Sequence, residues 1–161
     1  MRTLCVIAPA VWANGWLRNS CAVGFPSWVE AIRTLGVEGW VRKSNTLARF
    51  PAGFDGAFMD WYAREVGKSD VEAVVALANF VGSVDSRPYL AKIKAPVLAL
   101  YPIGSNISST DQEAALREHV ACMRVTHLNS SSALLGMLRP AASAGQILNF
   151  ASMHDGIACH E

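Results

Sequence analysis

Three short segments, two of them apolar throughout, punctuate the chain. Residues 4–8 (Leu-Cys-Val-Ile-Ala), 96–101 (Pro-Val-Leu-Ala-Leu-Tyr) and 124–128 (Arg-Val-Thr-His-Leu) read as strands. The first two are apolar at successive positions, and so on both faces, as in interior strands of a parallel sheet covered by helices. The third mixes polar with apolar positions and suits a place nearer an edge. Amphipathic segments lie between and after these runs. Ser27-Trp28-Val29-Glu30 has the Ser-x-x-Glu spacing of a capping box, and Trp28, Ile32 and Leu35 follow on one helical face until Gly36. Ser69-Asp70-Val71-Glu72 repeats that signature ahead of Val71, Val74, Val75 and Ala78. Phe58, Met59, Tyr62 and Val66 predict a helix between these two, closed by Gly67. Thr110-Asp111-Gln112-Glu113 opens a helix that runs to about His119. Pro140 suits the first turn of a last helix, with Ala141, Ala144, Ile147, Leu148 and Ala151 on a shared face; the period fades after Phe150.

The order is therefore strand, long helical section, strand, helix, strand, helix. The strand–helix–strand part is a right-handed crossover unit of an α/β fold. The helical section reads as an insertion covering one edge or mouth of the sheet. A strand apolar on both faces needs a strand neighbour on each side. The 4–8 strand nevertheless begins almost at the first residue, so the layout is that of the second half of a larger sheet.

Composition narrows the class. Of 161 residues, 52% are hydrophobic and 17% charged, which excludes a disordered chain. Fourteen Lys and Arg against thirteen Asp and Glu leave a formal charge of +1 without a run of like charge. A nucleic-acid partner, which calls for a basic stripe, is not expected. No apolar stretch is long enough for a spanning helix, so no membrane partner is expected either. Met1-Arg2-Thr3 and the apolar run to Ala13 have the outline of a miniature signal peptide. Pro9 interrupts that run, however, and a buried parallel strand accounts for it better. Cys5, Cys21, Cys122 and Cys159 are scattered, with no Cys-x-x-Cys, which points to reduced thiols and a cytoplasmic location.

Several segments together resemble the α/β-hydrolase family. Leu4-Cys5-Val6-Ile7-Ala8-Pro9-Ala10 is similar to the strand that delivers the chain into that family's cap. Asp85-Ser86-Arg87-Pro88-Tyr89-Leu90-Ala91-Lys92-Ile93-Lys94-Ala95-Pro96-Val97-Leu98 resembles the family's entry into its late strand: an aspartate, a Leu-x-x-Ile segment, then Pro-Val-Leu. Met137-Leu138-Arg139-Pro140-Ala141-Ala142 through Phe150 resembles its final helix. The resemblance implies a partial α/β-hydrolase fold with about three parallel strands, flanking helices and a helical cap insertion. Residues 1–161 would form a single α/β-hydrolase-like domain, with 12–82 as the cap or lid and 83–152 as the C-terminal core strands and helices.

The chemistry implied by the resemblance can be checked along the chain. The family's nucleophile sits on a strand-to-helix elbow, Gly-x-Ser-x-Gly in its commonest form. That motif is absent here, and the layout places the elbow upstream of Leu4. The acid follows the late strand, where Tyr101-Pro102-Ile103-Gly104-Ser105-Asn106-Ile107 offers no carboxylate before Asp111. Asn106 could bond a histidine without supplying the charge that stabilises an imidazolium. Asp111 suits the first turn of its helix. The catalytic histidine falls at Ala133, and His127 lies some six residues too early within a strand. No catalytic residue is therefore assigned. The expectation is a member or fragment of the ester- or amide-hydrolase type, inactive as given. The alternative is a non-catalytic protein that binds a small molecule or self-associates through an exposed sheet edge as a homo-oligomer.

Other groupings are weaker. His119, Cys122 and His127 match no structural zinc spacing and lack a fourth ligand, so no metal is assigned. Cys159-His160 fares no better, and no cofactor is expected. Gly67-Lys68-Ser69 lacks the earlier glycine of a phosphate loop, that position being Tyr62. Ser130-Ser131-Ser132 reads as a polar loop without a base. Among the aromatics, Trp12 and Trp16 follow the C-terminal end of the first strand, where open α/β sheets take ligands. They are the expected substrate-binding residues for an apolar small molecule, while most of the other aromatics are expected to hold the helical layer onto the sheet.

Overall fold

The computed structural model describes residues 2–44, 50–51, 53–103 and 110–155. In chain order the elements are strand β1 (Leu4–Ile7), helices α1 (Gly15–Ala22), α2 (Trp28–Ser44), α3 (Gly56–Gly67), α4 (Val71–Ser83) and α5 (Arg87–Leu90), strand β2 (Val97–Pro102), helix α6 (Thr110–His119), strand β3 (Met123–Leu128), and helices α7 (Leu135–Leu138) and α8 (Pro140–Asp155). They form two compact units, one made of Met1–Val11 with Ser86–Glu161 and the other of Trp12–Asp85.

The first unit is built on one parallel sheet in the order β1-β2-β3, with Leu4 opposite Val97 and Val97 opposite Met123. This is the α/β architecture of three parallel strands with flanking helices. Every residue of β2 is buried. Its alternate side chains serve two faces. Leu98 and Leu100 pack with Leu135 and Phe150, and Cys5, Leu128 and Ile147 close around them. Tyr101 and its β3 neighbour His127 take the other face, where His127 meets Glu113 of α6. β3 mixes half-buried positions with exposed ones at Arg124 and His127, as its mixed sequence predicts. β1 departs from the expectation of an interior strand. Among the described residues it pairs with β2 alone, and Ile7 is 39% exposed.

The expected face of the last helix is also corrected. Ser143 and Phe150 are the buried positions of α8, and Ala141, Ala144 and Leu148 are exposed. The shift follows from Ser143, whose Oγ donates to the Leu135 carbonyl at 3.2 Å. A polar residue that satisfies its hydroxyl inside the protein is invisible to an apolar count.

In the second unit α1 to α4 surround a core of Ile32, Val37, Trp40, Val41, Ala63, Val75 and Ala78. The Ser27 cap is present, its Oγ accepting from the Glu30 N–H at 3.1 Å. Gly36 ends that first helical stretch, with φ 68° and ψ 166°, and the chain re-enters helix at once, so that Val37, Trp40 and Val41 continue the core. Asp70, not Ser69, caps α4, its Oδ1 accepting from the Ala73 N–H at 2.9 Å. Gly67 has a packing role and no left-handed turn. A Cβ there would lie 2.7 Å from the Glu38 Cβ, so the glycine lets α3 approach α2. The Trp40 indole donates to the Cys21 carbonyl at 2.7 Å and ties α2 to α1.

Backbone conformation separates two helical glycines. Gly36 occupies a φ/ψ region open essentially to glycine alone, whereas Gly145 lies in regular α8 with nothing within 4 Å of an added Cβ. Gly36→Ala is expected to lower unfolding free energy by about 1–3 kcal/mol. Gly145→Ala should raise it by up to about 1 kcal/mol. Urea denaturation midpoints of the two variants check both signs.

Candidate functional site

Open α/β sheets place their chemistry at the carboxyl ends of the strands. Here those ends lead into residues 8–11, Ile103 and the 129–134 loop. After β1 the chain turns sharply. Ala8 sits at φ 44°, in the left-handed region, and its N–H donates to the Leu100 carbonyl at 2.8 Å. Such a conformation in a residue with a Cβ is held only by its surroundings. Val11 is fixed next, its N–H donating to Gln112 Oε1 at 2.8 Å and its carbonyl accepting from the Ser86 N–H at 2.8 Å. Gln112 is 1% exposed. Its sequence neighbourhood reads as a solvated first turn, so this anchor was missed. The one hint was a neutral amide between two acidic residues, Asp111 and Glu113.

The loop after β3 is held by its own serines. The Ser132 N–H donates to Ser130 Oγ at 3.1 Å, and Ser130 Oγ donates to the Ser132 carbonyl at 3.2 Å. Ser132 Oγ accepts from the Leu134 N–H at 3.2 Å, and the residue is fully buried. Arg139 Nε donates to the Asn129 carbonyl at 3.0 Å and closes the loop from the far side. These hydroxyls organise backbone. Ala133 lies half-buried among them.

His127 does not reach this loop's chemistry. It belongs to β3, and its Nε2 lies 2.9 Å from Glu113 Oε2. Glu113 also accepts from Arg117 Nε at 2.7 Å, so one carboxylate joins α6 to β3. Burial alone would push the Glu113 carboxyl up. Hydrogen bonds from Arg117 and His127, with their charges, outweigh that effect and hold it below the usual carboxylate range. Beside it the Tyr101 hydroxyl is buried with no hydrogen-bond partner. Burial, followed by the Glu113 charge, drives the phenol pKa far up, so it stays neutral.

The remaining expected positions are dispersed. Asn106 lies outside the described residues, as do Cys159 and His160. Asp111 is exposed in the first turn of α6. Trp12 is half-buried and its backbone bridges to Asp85, while Trp16 stands on α1 at 38% exposure. The aromatics of the second unit mostly pack on one another. Phe50 stacks on Phe54 at 5.2 Å, and Trp28 meets Trp40 at 6.0 Å. His119, Cys122 and His127 form no metal centre: among the described residues no group of three or more His, Cys, Asp or Glu could hold an ion. Nor is any helix of the described residues long and apolar enough to cross a membrane.

No family model matches the sequence, and no curated protein does. Solved structures do match. The α/β hydrolase MGS-M2 from a Medee basin deep-sea metagenome library superposes with a TM-score of 0.74 at 14% identity, over 99% of this chain and 58% of that one. The esterase EaEST from Exiguobacterium antarcticum gives 0.74 at 10% identity, over 93% of this chain and 57% of its own. The enol-lactonase from Burkholderia xenovorans LB400 gives 0.65 at 18% identity, over 93% and 55%. This chain has a partial α/β-hydrolase fold. It spans just over half the length of these structures, and at such identities the likeness is one of fold.

Within this partial α/β-hydrolase fold the Glu113 contacts make a titratable brace. A carboxyl whose folded pKa is depressed contributes stability that is present above its unfolded pKa and lost as pH falls through the folded value. The urea midpoint is therefore expected to fall on acidification below about pH 5. Glu113→Gln should lower the midpoint at neutral pH and flatten this acid limb. An acid limb of unchanged steepness in the variant would show that other carboxylates carry the effect.

Proposed function

We propose that this chain is the cap and C-terminal half of an α/β hydrolase of the ester- or amide-hydrolase type, and that it does not turn over substrate as given. The loop after β3 carries this reading. It holds Ala133 where the resemblance places the histidine, and the hydroxyls of Ser130 and Ser132 serve the loop backbone. No imidazole lies in that loop to act as a base, and the His127 ring is engaged by Glu113. The Trp12–Asp85 unit acts as the cap, with Trp12 and Trp16 receiving an apolar acyl group. The chain works in the cytoplasm, with its thiols reduced. In a longer protein that supplied a nucleophile elbow, the reaction would be acyl transfer through a serine ester with water as second nucleophile. Ala133 would leave that serine without its usual proton acceptor.

A fluorophosphonate probe reacts only with an activated serine. Intact-mass analysis of the treated chain is expected to show no adduct. A stoichiometric adduct, on Ser132 for instance, would overturn the inactive assignment.

A second reading, as a self-associating or small-molecule-binding protein without catalysis, is supported by β1. Among the described residues this strand has β2 on one side only, and Ile7 is exposed beside it. An unpaired strand edge is a template for another copy. Size-exclusion chromatography with light scattering should then give a discrete dimer, and Ile7→Lys should shift it toward monomer. A wild-type chain that remains monomeric at high concentration rejects edge pairing.

A further inference from the structure

Within the Trp12–Asp85 unit, α1, the start of α2 and the end of α4 line an open cleft of about 500 Å³, with Arg18, Asn19 and Asn79 exposed at its rim. That volume is in the range of small-molecule sites, about 300–1,000 Å³. Neither Trp12 nor Trp16 lines it. Its walls are mixed in a particular way. Ala22, Val29 and the Trp28 side chain supply carbon surface, and Asn19 and Asn79 supply amides. Arg18 is the one charged residue of the lining.

The guanidinium of Arg18 is held but not neutralised. Arg33, Arg42 and Arg117 each face a carboxylate. Arg18 instead donates from Nε to the Ala13 carbonyl at 3.0 Å and from Nη2 to the Gly82 carbonyl at 2.7 Å. Among the described residues no carboxylate pairs with it. Two neutral acceptors fix the plane of the fork and leave its remaining N–H donors open. A positioned, uncompensated guanidinium beside amide groups and an apolar wall calls for a monoanion with a carbon body. A phosphate dianion would call for a second cation, and the lining contains none.

We propose that this unit binds a small organic carboxylate with an apolar or aromatic body, the carboxylate on Arg18 and the body against Ala22, Val29 and Trp28. The site requires no turnover by this chain and stands or falls apart from the hydrolase assignment.

Phenylacetate and its neutral isostere phenylacetamide test the proposal by ¹H–¹⁵N NMR titration of the full chain. The Trp28 indole N–H, buried without a hydrogen-bond partner, gives a reporter at the cleft wall. Phenylacetate is expected to shift the Trp28 indole, Arg18 Nε and the Ala22 and Val29 amide resonances along one saturable curve. Phenylacetamide should bind at least about tenfold more weakly, the worth of a charge-assisted hydrogen bond. Arg18→Gln should bring phenylacetate down to the amide's affinity. Asn79→Leu leaves both Arg18–carbonyl bonds in place and should weaken phenylacetate several-fold without changing the melting temperature. Equal binding of acid and amide, shifts that map elsewhere, no binding of either at tens of millimolar, or an unchanged affinity in Arg18→Gln would each overturn the site. If Arg18→Gln fails to fold, the acid–amide comparison on wild type and the Asn79→Leu titration decide it.

Discussion

A strand with no charged side chain and no exposed residue can exist only where every direction away from it is occupied. β2 is such a strand, and much of the first unit follows from covering it. Its backbone groups pair laterally with β1 and β3. Leu98 and Leu100 call for α7 and α8 on one face, and Tyr101 with His127 calls for α6 on the other. The parallel pairing in turn requires a crossover between β2 and β3. α6 supplies it and adds the Glu113 brace at its first turn. Arg139, Ser143 and Gln112 then fix the connecting segments by bonding backbone groups that the packed sheet leaves over.

β2 was legible because a doubly covered strand writes itself as an uninterrupted apolar run, and the shorter apolar run of β1 and the mixed one of β3 could be read beside it. The crossover order followed from them, and the partial α/β-hydrolase fold from that order together with the Pro-Val-Leu entry. Less of the helical part was legible. Gly36 could be read as a stop, but a single residue with an unusual φ and ψ redirects the chain without ending the helical layer. Asp70 displaces Ser69 as a cap because either side chain can accept from a first-turn N–H, and spacing alone does not choose between them. The face of α8 was misjudged because a buried serine anchors it.

The candidate site was legible mainly through what it lacks. Ala133 and the serines around it were visible in the sequence, but the structural work of those hydroxyls was not. Polar side chains that bond the backbone within a few residues look, as letters, like reactive groups. His127 is a similar case. Its position in β3 was readable, while its partner on α6 depends on sheet register and on which face the crossover helix covers. Arg18 carries no motif at all. Its role rests on three segments, around Ala13, α1 and the end of α4, meeting in one place.

The two ends of the inserted unit lie side by side. Trp12 bridges to Asp85, and next to them the Ser86 N–H bonds the Val11 carbonyl. To the sheet, everything between these residues is topologically a single loop whose mouth is already closed. The entropy of closing such a loop grows only with the logarithm of its length. The insert can therefore lengthen, shorten or be exchanged for another with little effect on the strands, provided its first and last residues still meet. The fold thereby separates what has to be conserved for assembly, a few residues at that mouth, from a segment free to diverge.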